Sequence, residues 1–187
     1  MVKKLTIYSA LWPFLHKPKE KMHLNELARE LSMNHTSLRL RLNELEKKAI
    51  LKKETRGKLS LYYLNFNNPV LFYYLVNSEN EKLIYFSEKW LRLKELISFF
   101  NEQNETNLVL IFGSASKDFD QAEDIDILYI GNIDKNNLDL IKKRYNLELH
   151  LIQVKNLEDI SITLKEEIIK KHLIIKGADL FLRWFLW

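Results

Sequence analysis

The sequence has no cysteine, and only four glycines and three prolines among 187 residues. Without thiols, disulfides and thiolate metal sites are excluded. The chain also has no internal repeat and no low-complexity tract. No apolar run reaches the roughly 20 residues needed to cross a bilayer, and the apolar ending at 181–187 is too short to span one. No targeting segment is recognisable, so a cytoplasmic protein without membrane attachment is expected. The five histidines show no metal-ligand spacing; His150 alone shares a strand face with an acidic residue, Glu148, and so could lie near a metal.

A further absence is local. Residues 1–65 contain no aspartate: 14 Lys and Arg stand against 6 Glu, a net of +8, while residues 66–187 carry 15 against 19, a net of −4. A basic end joined to a mildly acidic one suggests that the first third faces a polyanion. There, residues 5–16 have helical periodicity, with Leu5, Tyr8, Leu11, Trp12 and Leu15 on one face; residues 23–31 form a second helix, and 32–34 a turn. Asn34 can cap a third helix over 35–49, with Leu38, Leu42 and Leu45 as its buried stripe. His35, Thr36, Ser37, Arg39 and Arg41 then fall on its outward, N-terminal part, where short polar side chains and arginines suit base edges and phosphates. Residues 50–64 are two strands around Arg56-Gly57-Lys58, a hairpin that would present Lys53, Arg56 and Lys58 to a sugar-phosphate backbone.

Helix, helix, turn, helix and basic hairpin together resemble the winged helix-turn-helix domains of prokaryotic regulators, over about a third of the chain. The resemblance implies binding to double-stranded DNA. The same fold also serves protein contacts.

The second informative segment is 108–130, LVLIFGSASKDFDQAEDIDILYI. An apolar strand pattern ends at Gly113-Ser114, where glycine lets backbone approach a phosphate closely, and resumes after a loop as 124–130. Residues two apart on a strand share a face, so Asp124 and Asp126 converge while Ile125 and Ile127 enter the core. Adjacent carboxylates repel unless a cation lies between them, and hard oxygen ligands suit Mg²⁺.

This order and spacing resemble the nucleotidyltransferase superfamily related to DNA polymerase β. The resemblance implies that Asp124 and Asp126 hold one or two Mg²⁺ ions, that Glu148 in Leu147-Glu148-Leu149 supplies a third carboxylate, and that Gly113, Ser114 and Lys117 contact the triphosphate of ATP or another nucleoside triphosphate. The alternative for Glu148 is an ordinary exposed strand residue. The chain departs from the family where a basic residue is usually followed by Gly: here the pair is Lys117-Asp118. The implied activity is transfer of a nucleotidyl group, AMP from ATP, to a macromolecular acceptor; small members often act as antitoxins on a HEPN-type ribonuclease toxin. The alternative is a transcription regulator whose transferase-like domain senses nucleotide or binds a partner without turnover.

Between these segments, residues 65–69 are the one loop-like cluster, and 70–76 and 83–100 have helical periodicity. Leu83, Phe86, Trp90, Leu93, Ile97 and Phe100 form one apolar stripe, suited to core packing or to a homodimer contact. After a helix around Ile160, Leu164, Ile168 and Ile169, residues 172–181 resemble the closing segment of small nucleotidyltransferases, which implies a short apolar run, a glycine at Gly177 and a final helix. The expected class is α+β: a winged helix over 1–65, a helical connector over 66–104, and a nucleotidyltransferase-like α/β domain with a mixed sheet over 105–187.

Overall fold

In the first part of the chain, buried leucines select the helices, and one of the helices starts at a polar cap. The computed structural model describes residues 6–57 and 59–186, without the side chain of Arg56; Leu5, Lys58 and Trp187 therefore lie outside the described residues. A 3₁₀ turn at Ser9–Leu11 leads into α1 (Trp12–His16), which has Pro13 in its first turn, where a missing N–H costs nothing. Strand β1 (Met22–His23) follows, then α2 (Leu24–Glu30) and α3 (His35–Lys47). Sequence periodicity placed His23 in a helix. It is instead on β1, because His23 pairs antiparallel with Leu61 and Met22 with Tyr62. Asn34 caps α3 as expected, its Oδ1 accepting from the Ser37 N–H at 2.8 Å, and Leu38, Leu42 and Leu45 are fully buried.

Strands β2 (Leu51–Arg56) and β3 (Leu59–Leu64) form the hairpin, with Arg56 opposite Leu59, and β1 adds on the far side of β3 to give the antiparallel order β1-β3-β2. The loop after β3 is pinned. Asn65 Nδ2 donates to Ala49 O at 2.8 Å, and Asn68 Nδ2 to Ala49 O at 3.0 Å and Lys48 O at 3.2 Å, which occupies carbonyls that the end of α3 leaves over.

Helix α4 (Leu71–Lys89) then runs unbroken through 77–82, and the chain bends instead at Trp90, which is extended, before α5 (Leu91–Glu102). The polar stretch 77–82 looks like a break in the sequence because Ser78, Glu79 and Lys82 are polar, but all three are buried. Ser78 Oγ donates to Tyr8 O at 2.9 Å, and Lys82 Nζ to His172 O at 2.6 Å. The chain divides into two compact units, residues 1–81 and 82–187, with α4 passing from one to the other.

The second unit is built on β4 (Thr106–Phe112), β5 (Ile125–Gly131), β6 (Leu149–Val154) and β7 (His172–Lys176), in the order β6-β5-β4-β7. β4 is antiparallel to β5 and β7, and β5 is parallel to β6, so the sheet is mixed and the protein is α+β. The parallel pair needs a crossover, supplied by α6 (Lys135–Tyr145), whose first N–H groups are capped by Asp134. Alternation along the strands sends Val109, Ile111, Ile125, Ile127 and Leu173 into one core with Trp90, Leu93, Leu96 and Phe100. Each fully buried side chain of this size contributes about 1.5 to 3 kcal/mol. Trp90, Leu93 and Phe100 are thus used in the unit's own core, with Leu83, Phe86 and Ile97 partly buried against it. Helix α7 (Ile162–Lys170) follows β6, and α8 (Ala178–Leu186) follows β7, burying Phe181 and Leu182 as it packs over β4.

Candidate functional site

The turn after β4 creates the space at the site. Gly113 has φ +70° and ψ −145°, a region that L side chains rarely adopt, and a Cβ there would come 3.2 Å from Asp126 Oδ2. One 3₁₀ turn follows at Ser114–Ser116, closed by Ser116 Oγ donating to Gly113 O at 2.8 Å. The connection to β5 is anchored at Phe119, which is 1% exposed and lies 6.1 Å, ring to ring, from Trp90. Arg92 Nη2 also donates to Asp120 O at 3.1 Å.

Strand register then decides which side chains meet. Asp126 lies opposite Phe112 on β4 and His150 on β6, so the three share a face, while Ile125 and Ile127 are buried as alternation requires. Asp124, just before β5, is on the same side. His150 Nδ1 is 3.3 Å from Asp124 Oδ2 and 3.5 Å from Asp126 Oδ1. One donor atom from each of Asp124, Asp126 and His150 lies within 4.8 Å of the others. Two like charges about 4 Å apart repel by about 1 kcal/mol in water and about 4 kcal/mol at the effective dielectric of a protein surface, so the pair favours a cation beside it. Two carboxylates and an imidazole are a donor set that fits a divalent cation, although the nitrogen departs from the all-oxygen shell of Mg²⁺.

Glu148 is not in this group. It is exposed, precedes β6, and engages β5 through its carbonyl, which accepts the Ile125 N–H at 2.8 Å. Glu148 and His150 have the same parity, and register sets His150 rather than Glu148 opposite Asp126. Ser114 does line the site: an open cavity of about 360 Å³ is bounded by Ser114, Asp118, Gln121, Ala122, Glu123 and Asp124. Lys117 is exposed and is not among these lining residues, so three carboxylates face the cavity without a lining cation. Sequence reasoning missed one carboxylate. Glu167 on α7 brings Oε1 within 3.9 Å of the point where a Gly113 Cβ would stand, and no local pattern marks it.

In the first unit, His35, Thr36, Ser37 and Arg39 are exposed on the first turns of α3. Arg41 is half-buried, because it stands three residues from Leu38 on the flank of the leucine stripe; Leu40, 64% exposed, takes the outward place expected for it. Lys53 is exposed on β2, with its Nζ 5.8 Å from the Tyr62 ring centroid. Arg29 was not singled out by its sequence context. It joins Arg39, His23, Asn25 and Ser60 around an open groove of about 520 Å³ between α2, α3 and β3.

No protein-family model and no curated protein matches the chain. Among solved structures it is similar to TrmBL2, described as an archaeal chromatin protein with a novel mode of DNA binding, at 17% identity over 87% of this chain and 69% of that one. The TM-score is 0.29, too low for the likeness to bear on fold or function. Among the described residues, no helix is long and apolar enough to cross a membrane.

Proposed function

We propose that the chain is a DNA-binding regulator whose second unit holds a divalent cation and, with it, a nucleoside triphosphate. The observation that carries this reading is the outward face of α3, where exposed His35, Thr36, Ser37 and Arg39 stand on a helix fixed by three buried leucines, beside a groove that adds Arg29. Rigid placement of short polar and guanidinium groups is what base edges and phosphates require. The net charge of +8 over residues 1–65 supplies the long-range attraction. Fluorescence anisotropy on duplex DNA across a salt series tests it: binding should weaken steeply with salt, since released counterions drive it. Absence of binding to any duplex at low salt removes the reading.

A second reading adds catalysis, and the group of Asp124, Asp126 and His150 beside the Gly113 turn favours it. Asp124 and Asp126 would hold the cation, and Ser114 at the start of the turn would contact the phosphates. When bound, the cation neutralises charge on the triphosphate and on the departing pyrophosphate. The reaction is then transfer of AMP from ATP to a hydroxyl of a macromolecule, with a HEPN-type toxin as the acceptor that the sequence resemblance suggests. Asp118, Glu123 and Asp124 around the cavity disfavour a bare triphosphate, so nucleotide should bind only together with its cation. Calorimetry with ATP and cation, followed by a pyrophosphate-release assay, separates the two readings. Binding without release, with every candidate acceptor, leaves the regulator alone.

A further inference from the structure

We infer that the site formed by Asp124, Asp126 and His150 selects a first-row transition dication, with Mn²⁺ as its readiest probe, over Mg²⁺; this inference rests on the cation reading above. His150 is the distinguishing residue. Its Nδ1 lies 3.3 Å from one carboxylate and 3.5 Å from the other, so the imidazole faces the same space as the two aspartates. The position is fixed by backbone pairing, because Asp126 and His150 are register partners on parallel strands. Magnesium binds oxygen ligands and sheds water reluctantly, so a nitrogen donor adds little to its affinity. Imidazole suits Fe²⁺, Ni²⁺, Cu²⁺ and Zn²⁺, and affinity for a nitrogen-bearing site rises from Mn²⁺, the weakest first-row member, to Cu²⁺, so a preference seen already with Mn²⁺ is the stringent case.

A second feature limits how the shell is filled. Asp126 Oδ1 is the oxygen near His150, whereas Oδ2 faces Gly113, where the missing side chain leaves room and the Glu167 carboxylate approaches. Among the described residues, Asp124, Asp126 and His150 supply three side-chain donors on the His150 side, which leaves positions of a cation there for water or phosphate oxygens. A cation held in this way is retained by the protein and still able to meet a nucleotide.

The test uses the full chain and Mn²⁺ alone, read as loss of the free-ion electron paramagnetic resonance signal, with Mg²⁺ as competitor. Wild type should bind Mn²⁺ and prefer it to Mg²⁺. His150→Ala, and His150→Gln as a second variant, should lose at least about tenfold in Mn²⁺ affinity while Mg²⁺ competition changes much less, so that the preference collapses. Circular dichroism of each variant establishes that it is folded. Glu148→Gln should leave the preference in place. If Asp126→Asn abolishes Mn²⁺ binding but both His150 variants keep the wild-type preference, the cation reading stands and this inference falls. If wild type binds no Mn²⁺, or a folded Asp126→Asn binds it as tightly as wild type, the cation reading itself falls.

Discussion

The two candidate surfaces of this protein, the first turns of α3 and the Asp124–Asp126 end of β5, are opposites in charge and alike in construction. On the first turns of α3 the exposed groups are neutral or cationic, and a stripe of Leu38, Leu42 and Leu45 holds the helix that presents them. At the start of β5 the chemistry-bearing groups are the half-buried carboxylates of Asp124 and Asp126, and Ile125 and Ile127, buried in alternation with them, hold the strand. In each case apolar periodicity fixes the backbone and the intervening residues carry the chemistry: period 3.6 on the helix, period 2 on the strand. The difference lies in what each surface needs. A cationic face can meet a polyanion directly, whereas a carboxylate pair must first acquire a cation.

Breaking the scaffold should have the largest effect. Leu42→Ala deletes a fully buried side chain of α3 and should cost about 2 to 5 kcal/mol in chemical denaturation, with DNA binding lost as the helix loosens. Gly131→Ala tests the other unit. A Cβ there would fall 2.1 Å from Glu105 O at φ +118°, so the variant should be strongly destabilised or fail to fold, as thermal melts will show.

Changing the chemistry while sparing the scaffold should have smaller, surface-specific effects. Arg39→Ala should weaken duplex binding by about 1 to 3 kcal/mol and flatten sequence preference in a competition assay, with no change in cation or nucleotide binding. If it alters all duplexes equally, Arg39 is a phosphate contact. Asp126→Asn should have the converse pattern, abolishing cation-dependent ATP binding in calorimetry and leaving duplex affinity intact. The smallest effect is expected from Asn34→Ala, which removes the cap on Ser37 N–H and should cost about 1 kcal/mol of stability in denaturant titration.

The parts legible in the sequence were those with a period or a local partner. The leucine stripe, the Asn34 cap, the strand-turn-strand of 108–130 and the convergence of Asp124 with Asp126 all depend on residues a few positions apart. What was missed depends on long-range pairing. A strand as short as Met22–His23 has no period of its own and exists because β3 pairs with it. The middle of α4 looks like a loop because Ser78, Glu79 and Lys82 are polar, and only the fold shows them buried. Glu148 and His150 are alike by alternation, and only the register of β6 against β5 shows that His150 stands opposite Asp126. Arg41 differs from Arg39 for a subtler reason: two residues along a helix rotate a side chain by about 200°, which carries it to the flank of the leucine stripe, where it is half-buried.

Phe119 has a further consequence for binding thermodynamics. A loop fastened only at its ends would have to be ordered when a ligand enters, and each doubling of a free loop's length adds about 0.6 kcal/mol of closure entropy. With Phe119 buried against Trp90, the segment between the Gly113 turn and Asp124 is tethered partway along, and Arg92 secures the next residue. Much of the ordering is therefore completed when the protein folds. A ligand arriving at Ser114 and Asp124 meets walls already set in place, and Phe119→Ala should make its binding entropy less favourable even where its contacts survive.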